Sequence, residues 1–222
     1  MVLINPQIPT VGQPVGGEEV DATAALQQLV NLVNGMLEAD NLSLATRSRL
    51  NPPVVTSLPP SPVDGDRVLF NFQPSVNRLI ELRYVAAMTG PYKWVPIGGG
   101  GGSIGYQATG SAAIPTGTSV TLTTVGGSVA LPLAGDYRAQ GTARVSAGDS
   151  PTFVGPANVT GPVILSAPSV AYTGQDDTVP VDTAFTVAAP TTVALGFQRA
   201  VGGSTPGSVA DPRLFVTPLR VG

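Results

Sequence analysis

The chain has 222 residues, with 14 acidic and 11 basic side chains giving a net charge of −3, and it contains neither histidine nor cysteine. These absences exclude Ser/His/Asp and Cys/His catalysis, imidazole or thiolate metal sites and all disulfides. Ten arginines and the single Lys93 form no basic cluster, which argues against nucleic-acid binding through phosphates.

Charged residues are 11% of the chain against about 25% in ordinary soluble domains, while 27 glycines and 22 prolines make it turn-dense. Its surface must therefore be carried by uncharged polar groups. Residues 1–15 lack the basic start and long apolar core of a secretory signal, and no run reaches the roughly 20 apolar residues of a membrane span.

Residues 1–17 read as an extended, Pro/Gly-rich arm. The helical pattern begins at Glu18 and runs to about Asn41, with Asp21 or Thr23 as N-cap and Glu18, Glu19 and Asp21 at the positive end of the helix dipole. Leu26, Leu29, Val33 and Met36 recur at coiled-coil spacing, and Val30, Leu32 and Leu37 widen the stripe. A helix of about 19 residues would be about 29 Å long, too short to hold chains together unaided. Two readings stay open: a self-associating stalk over residues 18–50, with Leu26, Leu29, Val33 and Met36 as the trimer interface, or one helix packed on its own chain.

Residues 51–97 read as a small antiparallel module. Val68, Phe70 and Phe72 alternate with polar neighbours, Ile80, Leu82 and Tyr84 follow, and residues 92–95 supply a third strand. Phe70, Tyr84, Tyr92 and Trp94 are its expected core, and so few strands need a partner to cover them. The glycines at 98–102, within a 98–103 linker, read as a flexible hinge. From 104 to 222 strand signals recur at sandwich spacing, clearest over residues 137–145, with shorter runs at 119–124, 182–187, 193–198 and 213–221 and a buried run at 163–165. The fold class is thus mainly β, with a C-terminal jelly-roll-like β-sandwich.

Few constellations carry chemistry. The glycine run lacks the Lys-Ser/Thr pair of a phosphate loop and reads as a linker. Asp176, Asp177 and Asp182 are the acidic cluster of the C-terminal block; a calcium loop or a glycosidase pair needs a spacing they do not show, and a solvated turn is the favoured reading. Trp94 with Tyr84 and Tyr92 offers an aromatic platform for sugar, with a core plug as the blander and better reading. Arg47 and Arg49, just before Pro52 and Pro53, have two open readings, contacts for a neighbouring protein or exposed charges beside a helix end with no role. The expectation is a non-enzyme with no cofactor and no metal site.

One stretch carries a resemblance. Residues 54–99, VVTSLPPSPVDGDRVLFNFQPSVNRLIELRYVAAMTGPYKWVPIGG, resemble a module of bacteriophage virion proteins in which "TSLP…P.DGDRV" precedes a strand ending "LRY" and a "YKW…GG" segment. Upstream, NGMLEADNL at 34–42 is similar to a stretch following the N-terminal region of phage fibres. The "GDYRAQGTARV" and "TVALGFQ" strands are similar to trimeric jelly-roll fibre tips. The resemblance implies a homotrimer in the virion, made in the host cytoplasm, with residues 1–17 docking on other virion proteins and the head binding a host-surface glycan or protein. Two alternatives stay open, a capsid decoration protein that stabilises the head or, outside the family, a monomeric carbohydrate-binding module. Nucleic acid and membrane insertion are not expected.

Overall fold

Alternation of apolar and polar residues sets the long strands, and the places where it breaks set the sheet's irregularities. The computed structural model describes residues 26–37, 51–98, 103–122, 125–172, 176–200 and 204–222, and the chain divides into two compact units, Met1–Arg47 and Ser48–Gly222. Within the first, residues 26–37 form a helix, α1. The remainder of the expected 18–50 stalk and the 1–17 arm lie outside the described residues.

The second unit holds fourteen described strands: β1 Val54–Val55, β2 Arg67–Gln73, β3 Arg78–Tyr84, β4 Trp94–Gly98, β5 Ile104–Gln107, β6 Ser111–Ile114, β7 Val120–Leu122, β8 Val129–Leu131, β9 Gly135–Ser146, β10 Thr152–Asn158, β11 Ser169–Ala171, β12 Asp176–Val187, β13 Thr191–Arg199 and β14 Gly207–Val221. They form two sheets. One runs β1-β2-β3-β4-β14-β9-β12, with β5 and β6 also paired to β14; the other runs β11-β10-β13-β7, with β8 also on β13. Every described pairing is antiparallel except β1 with β2. The result is a mainly β, two-sheet, sandwich-like fold.

The long strand β14 organises the larger sheet. One side of it pairs with β9 over most of its length, while the other side receives β6 at Gly207 to Ala210, β5 at Arg213 to Val216 and β4 at Val221. Two prolines sit in this central strand, where a missing N–H would ordinarily break the ladder. Register shifts at Ala210/Arg213 and Pro218/Arg220 accommodate Pro212 and Pro218. At the first shift Asp211 adopts φ 49°, a left-handed conformation that a short polar side chain tolerates. Its amide donates to the Gly110 carbonyl, and its carboxylate accepts from the Gly110 amide.

Inward residues of both sheets make one core. Tyr137, Ala139 and Val145 of β9, Val181 and Phe185 of β12 and Leu214 and Val216 of β14 share it with Val154 of β10 and Val193, Leu195 and Phe197 of β13. Phe70, Phe72, Ile80, Leu82 and Trp94 belong to the same continuous cluster, with Val55 and Leu58 packed against it. The small module is therefore covered by its own chain rather than by a partner.

Three further expectations change. The glycine run does not separate independent modules: β4 before it and β5 after it both pair with β14, while residues 99–102 themselves lie outside the described residues. Residues 163–165 are not a buried strand. Val163 is exposed and only an Ala157–Ile164 bridge forms, because Gly161 and Pro162 turn the segment across β10, where Ile164 fills the space over Gly155. The third strand of the small module starts at Trp94 rather than at 92.

Leu214, fully buried at the middle of β14, reports on the whole sheet. Leu214→Ala is expected to cost about 2–5 kcal/mol, read as a lower denaturation midpoint by circular dichroism, with the small module's tryptophan fluorescence and the β signal lost together.

Candidate functional site

Four groups of residues merit comparison as sites. The first is α1, where Leu26, Leu29, Val33 and Met36 are exposed at 62%, 56%, 46% and 63%. Val30, Leu32 and Leu37 are exposed as well, so apolar surface is spread around the helix. Leaving that much apolar side chain in water forfeits roughly 25 cal/mol for each Å2 that a neighbour would bury.

The second is the aromatic group of the small module. Phe70 and Trp94 are buried, and Tyr84, directly opposite Trp94 in register, meets it edge-on with ring centroids 5.4 Å apart. Tyr92 is half-buried and its hydroxyl donates to the Val187 carbonyl at 3.1 Å, tying this module to β12. These rings act as structural plugs, and the platform for sugar read from their spacing does not form there.

The third is the acidic cluster. Asp176, Asp177 and Asp182 lie along strand β12 rather than in a turn, because the Thr178–Val187 alternation extends back to residue 176. Asp176 and Asp182 are six residues apart on one face, about 20 Å, and Asp177 faces the other way. Among the described residues no group of three or more carboxylates is placed to hold a metal ion. Asp182 is instead claimed by its neighbours across the sheet: Arg138 donates to it twice, at 2.7 and 2.6 Å, and Gln140 adds a further hydrogen bond. The hydrogen bonding of Arg138, with its charge and a lesser contribution from Gln140, holds the Asp182 carboxyl below its ordinary value against the upward push of burial.

Asp182 therefore belongs to the fourth group, the outward face of the larger sheet. Period two places Asp136, Arg138, Gln140, Thr142 and Arg144 of β9 on this face, beside Arg213, Phe215 and Thr217 of β14. At one end Arg220, Asp136 and Thr186 stand in a row across three strands. Thr186 Oγ1 donates to Asp136 at 2.6 Å, Arg220 forms an ion pair with it, and the two outweigh burial and lower the Asp136 pKa. Half-exposed pairs such as Arg138–Asp182 contribute little net stability. What they do is fix side-chain positions.

A clasp that no sequence spacing announces closes one end of the sandwich. Arg199, 1% exposed at the end of β13, donates to the Thr205 and Ala147 carbonyls and to Asp149. Asp149 in turn accepts from the Ser204 amide at 2.7 Å, the Ser204 hydroxyl at 2.9 Å and the Thr205 amide at 3.0 Å. The partners lie about 50 residues apart, which is why neither motif nor periodicity finds them.

No protein-family model matches the chain, and no curated protein matches it. Among solved structures, the chain overlaps the VP2 subviral particle of infectious bursal disease virus at 14% identity, covering 73% of this chain and 42% of that one with a TM-score of 0.38. It overlaps the T13 viral particle of the same virus at 12% identity, 63% and 37% coverage and a TM-score of 0.38. The Gx strain particle gives 16%, 73% and 42%, with a TM-score of 0.35. The chain thus spans about two fifths of those proteins' length, and overlaps this loose carry no weight for family or function.

The clasp makes a pH-dependent contribution with a defined sign. The Thr205 amide holds the Asp149 carboxyl well below its ordinary 3.8, and Ser204 and Arg199 add to this against the opposing effect of burial. A carboxyl lowered by folding stabilises in full above its unfolded pKa and loses that contribution as pH falls through the folded value. Asp149→Asn is expected to lower the thermal midpoint at neutral pH, with the gap to the parent narrowing below about pH 4 in calorimetric scans.

Proposed function

We propose that this chain is a non-enzymatic structural component of a phage particle, a homotrimeric short fibre or spike. In this reading residues 1–17 dock on other virion proteins. The helix that includes α1 forms a three-stranded stalk, residues 51–97 act as the collar, and the jelly-roll-like sandwich is the head that meets the host surface. The observation that carries the reading is the exposed apolar seam of Leu26, Leu29, Val33 and Met36 at coiled-coil spacing. Three copies of a short helix bury such a seam against one another when other regions of the chain share the work of association.

Other features support it. The virion-like motif at 54–99 falls on the collar strands β2, β3 and β4. The chain lacks histidine and cysteine, and its described carboxylates are engaged in ion pairs, accept backbone amides as Asp64 and Asp66 do, or lie along strands, which supports a structural rather than a catalytic role. Pairing of both β4 and β5 with β14 makes collar and head a single body, which suits a short, stiff projection.

Light scattering on the full chain is expected to give a mass near three times 22.5 kDa. Leu29→Asp combined with Val33→Asp is expected to lower the mass toward a single chain while the β circular-dichroism signal stays. A parent chain that is folded and has a mass of 22.5 kDa would overturn the trimeric stalk.

A further inference from the structure

We infer that the outward face of the larger sheet around Phe215 is a binding site for a carboxylated saccharide, whose sugar ring lies on the phenyl group and whose carboxylate meets Arg213 and Arg144. The inference rests on reading the sandwich as the region of a spike that faces the host, and it adds the residues and the ligand chemistry.

Three observations meet at this place. The first is a partly exposed aromatic residue. Phe215 is 41% exposed on a strand whose neighbours Leu214 and Val216 are fully buried. It stands directly opposite Gly105 of β5, and a Cβ added to Gly105 would lie 2.4 Å from Phe215 Cδ1. The ring thus occupies the space over the glycine while the residue stays partly exposed, and we take its exposed part as the apolar surface for the C–H face of a pyranose.

The second is a pair of arginines beside the ring that enter no ion pair among the described residues. Arg213 is two residues from Phe215 on the same face, about 7 Å along the strand. Arg144 is opposite Ala210, across the bulge from Arg213. Both guanidiniums are exposed, and among the described residues neither has a carboxylate within ion-pair distance. The nearby acids form no ion pair with either: Asp182 is taken by Arg138 and Gln140, Asp211 accepts the Gly110 amide, and Asp176 lines the same small hollow as Arg144 without pairing. A guanidinium fork matches a planar carboxylate through two parallel hydrogen bonds.

The third is rigidity. Gln140 stands opposite Phe215 on β9 and is fixed by its hydrogen bond to Asp182, itself held twice by Arg138. Thr142 stands opposite Arg213. Polar groups held in place before a ligand arrives spare it the entropy of ordering them.

The test uses the full chain on an immobilised panel of uronate- and sialate-bearing oligosaccharides beside their neutral counterparts, with light scattering on the same samples. Binding to carboxylated members is expected, weakening as ionic strength rises. Phe215→Ala and Arg213→Gln are each expected to weaken it about tenfold, as loss of one stacked ring or one charged contact does. The control Thr160→Ala, at an exposed position just after β10 of the other sheet, is expected to leave binding unchanged. Equal binding of neutral sugars, or no binding by a chain of trimeric mass, overturns the site and leaves the spike reading standing. A fall in mass on Phe215→Ala assigns the face to contacts between copies and also overturns it. A monomer that binds carboxylated sugars through Phe215 overturns the stalk alone.

Discussion

Everything in the larger sheet depends on β14 being hydrogen-bonded along both sides. A strand in that position has to satisfy its N–H and C=O groups on both edges, and three short strands from different stretches of the chain do so on one side, end to end. Because β4, β5 and β6 share this one template, the collar and the sandwich have a common sheet and a common core. The two bulges follow from the same requirement. They are what lets a strand containing Pro212 and Pro218 remain central, and the first of them brings Arg213 and Arg144 close to each other from neighbouring strands.

The same alternation that builds the core sorts chemistry by face. The buried inward positions of β9, β12 and β14 are apolar and continuous with the second sheet, so the outward positions are free to carry most of these strands' charge. That charge is not spread evenly. Asp136, Asp149 and Asp182 each collect an arginine and at least one further hydrogen-bond donor, whereas Arg144 and Arg213 are exposed and enter no ion pair among the described residues. In a chain with so few ionic groups, an unpaired cation next to an exposed ring is a more pointed feature than it would be on an ordinary charged surface.

Residues with one wet and one dry face were legible in the sequence. The period-two run at 137–145 lies within β9, and Val68, Phe70 and Phe72 alternate in β2 as written. Strand β10 was not legible, because its Gly155-Pro156-Ala157 centre is buried on both faces and shows no alternation. The first half of β14 lay outside the run read at 213–221, because Asp211 and Pro212 interrupt the alternation where the strand carries a bulge. Pairing was the larger gap. Nothing local in residues 94–98 or 104–107 points to a strand more than a hundred positions away, and for this reason the glycine run looked like a hinge between modules. The Arg213–Phe215 face was half visible: its strand was read, but the glycine under the ring belongs to a distant segment.

The reach of β14 also bears on time. Pairing Val221 with Trp94 closes a loop of more than a hundred residues before any bond repays the lost chain entropy, and sheets built from such distant contacts form slowly. Opening is slow for a related reason: a strand laced on both sides cannot peel from an edge, and it comes free only when two ladders and the core beneath them give way together. A virion component of the kind proposed above receives, outside its host, no new protein and no chaperone. For a component of that kind, persistence is a matter of escape rate more than of equilibrium, and a doubly laced central strand lengthens the lifetime of the folded state itself.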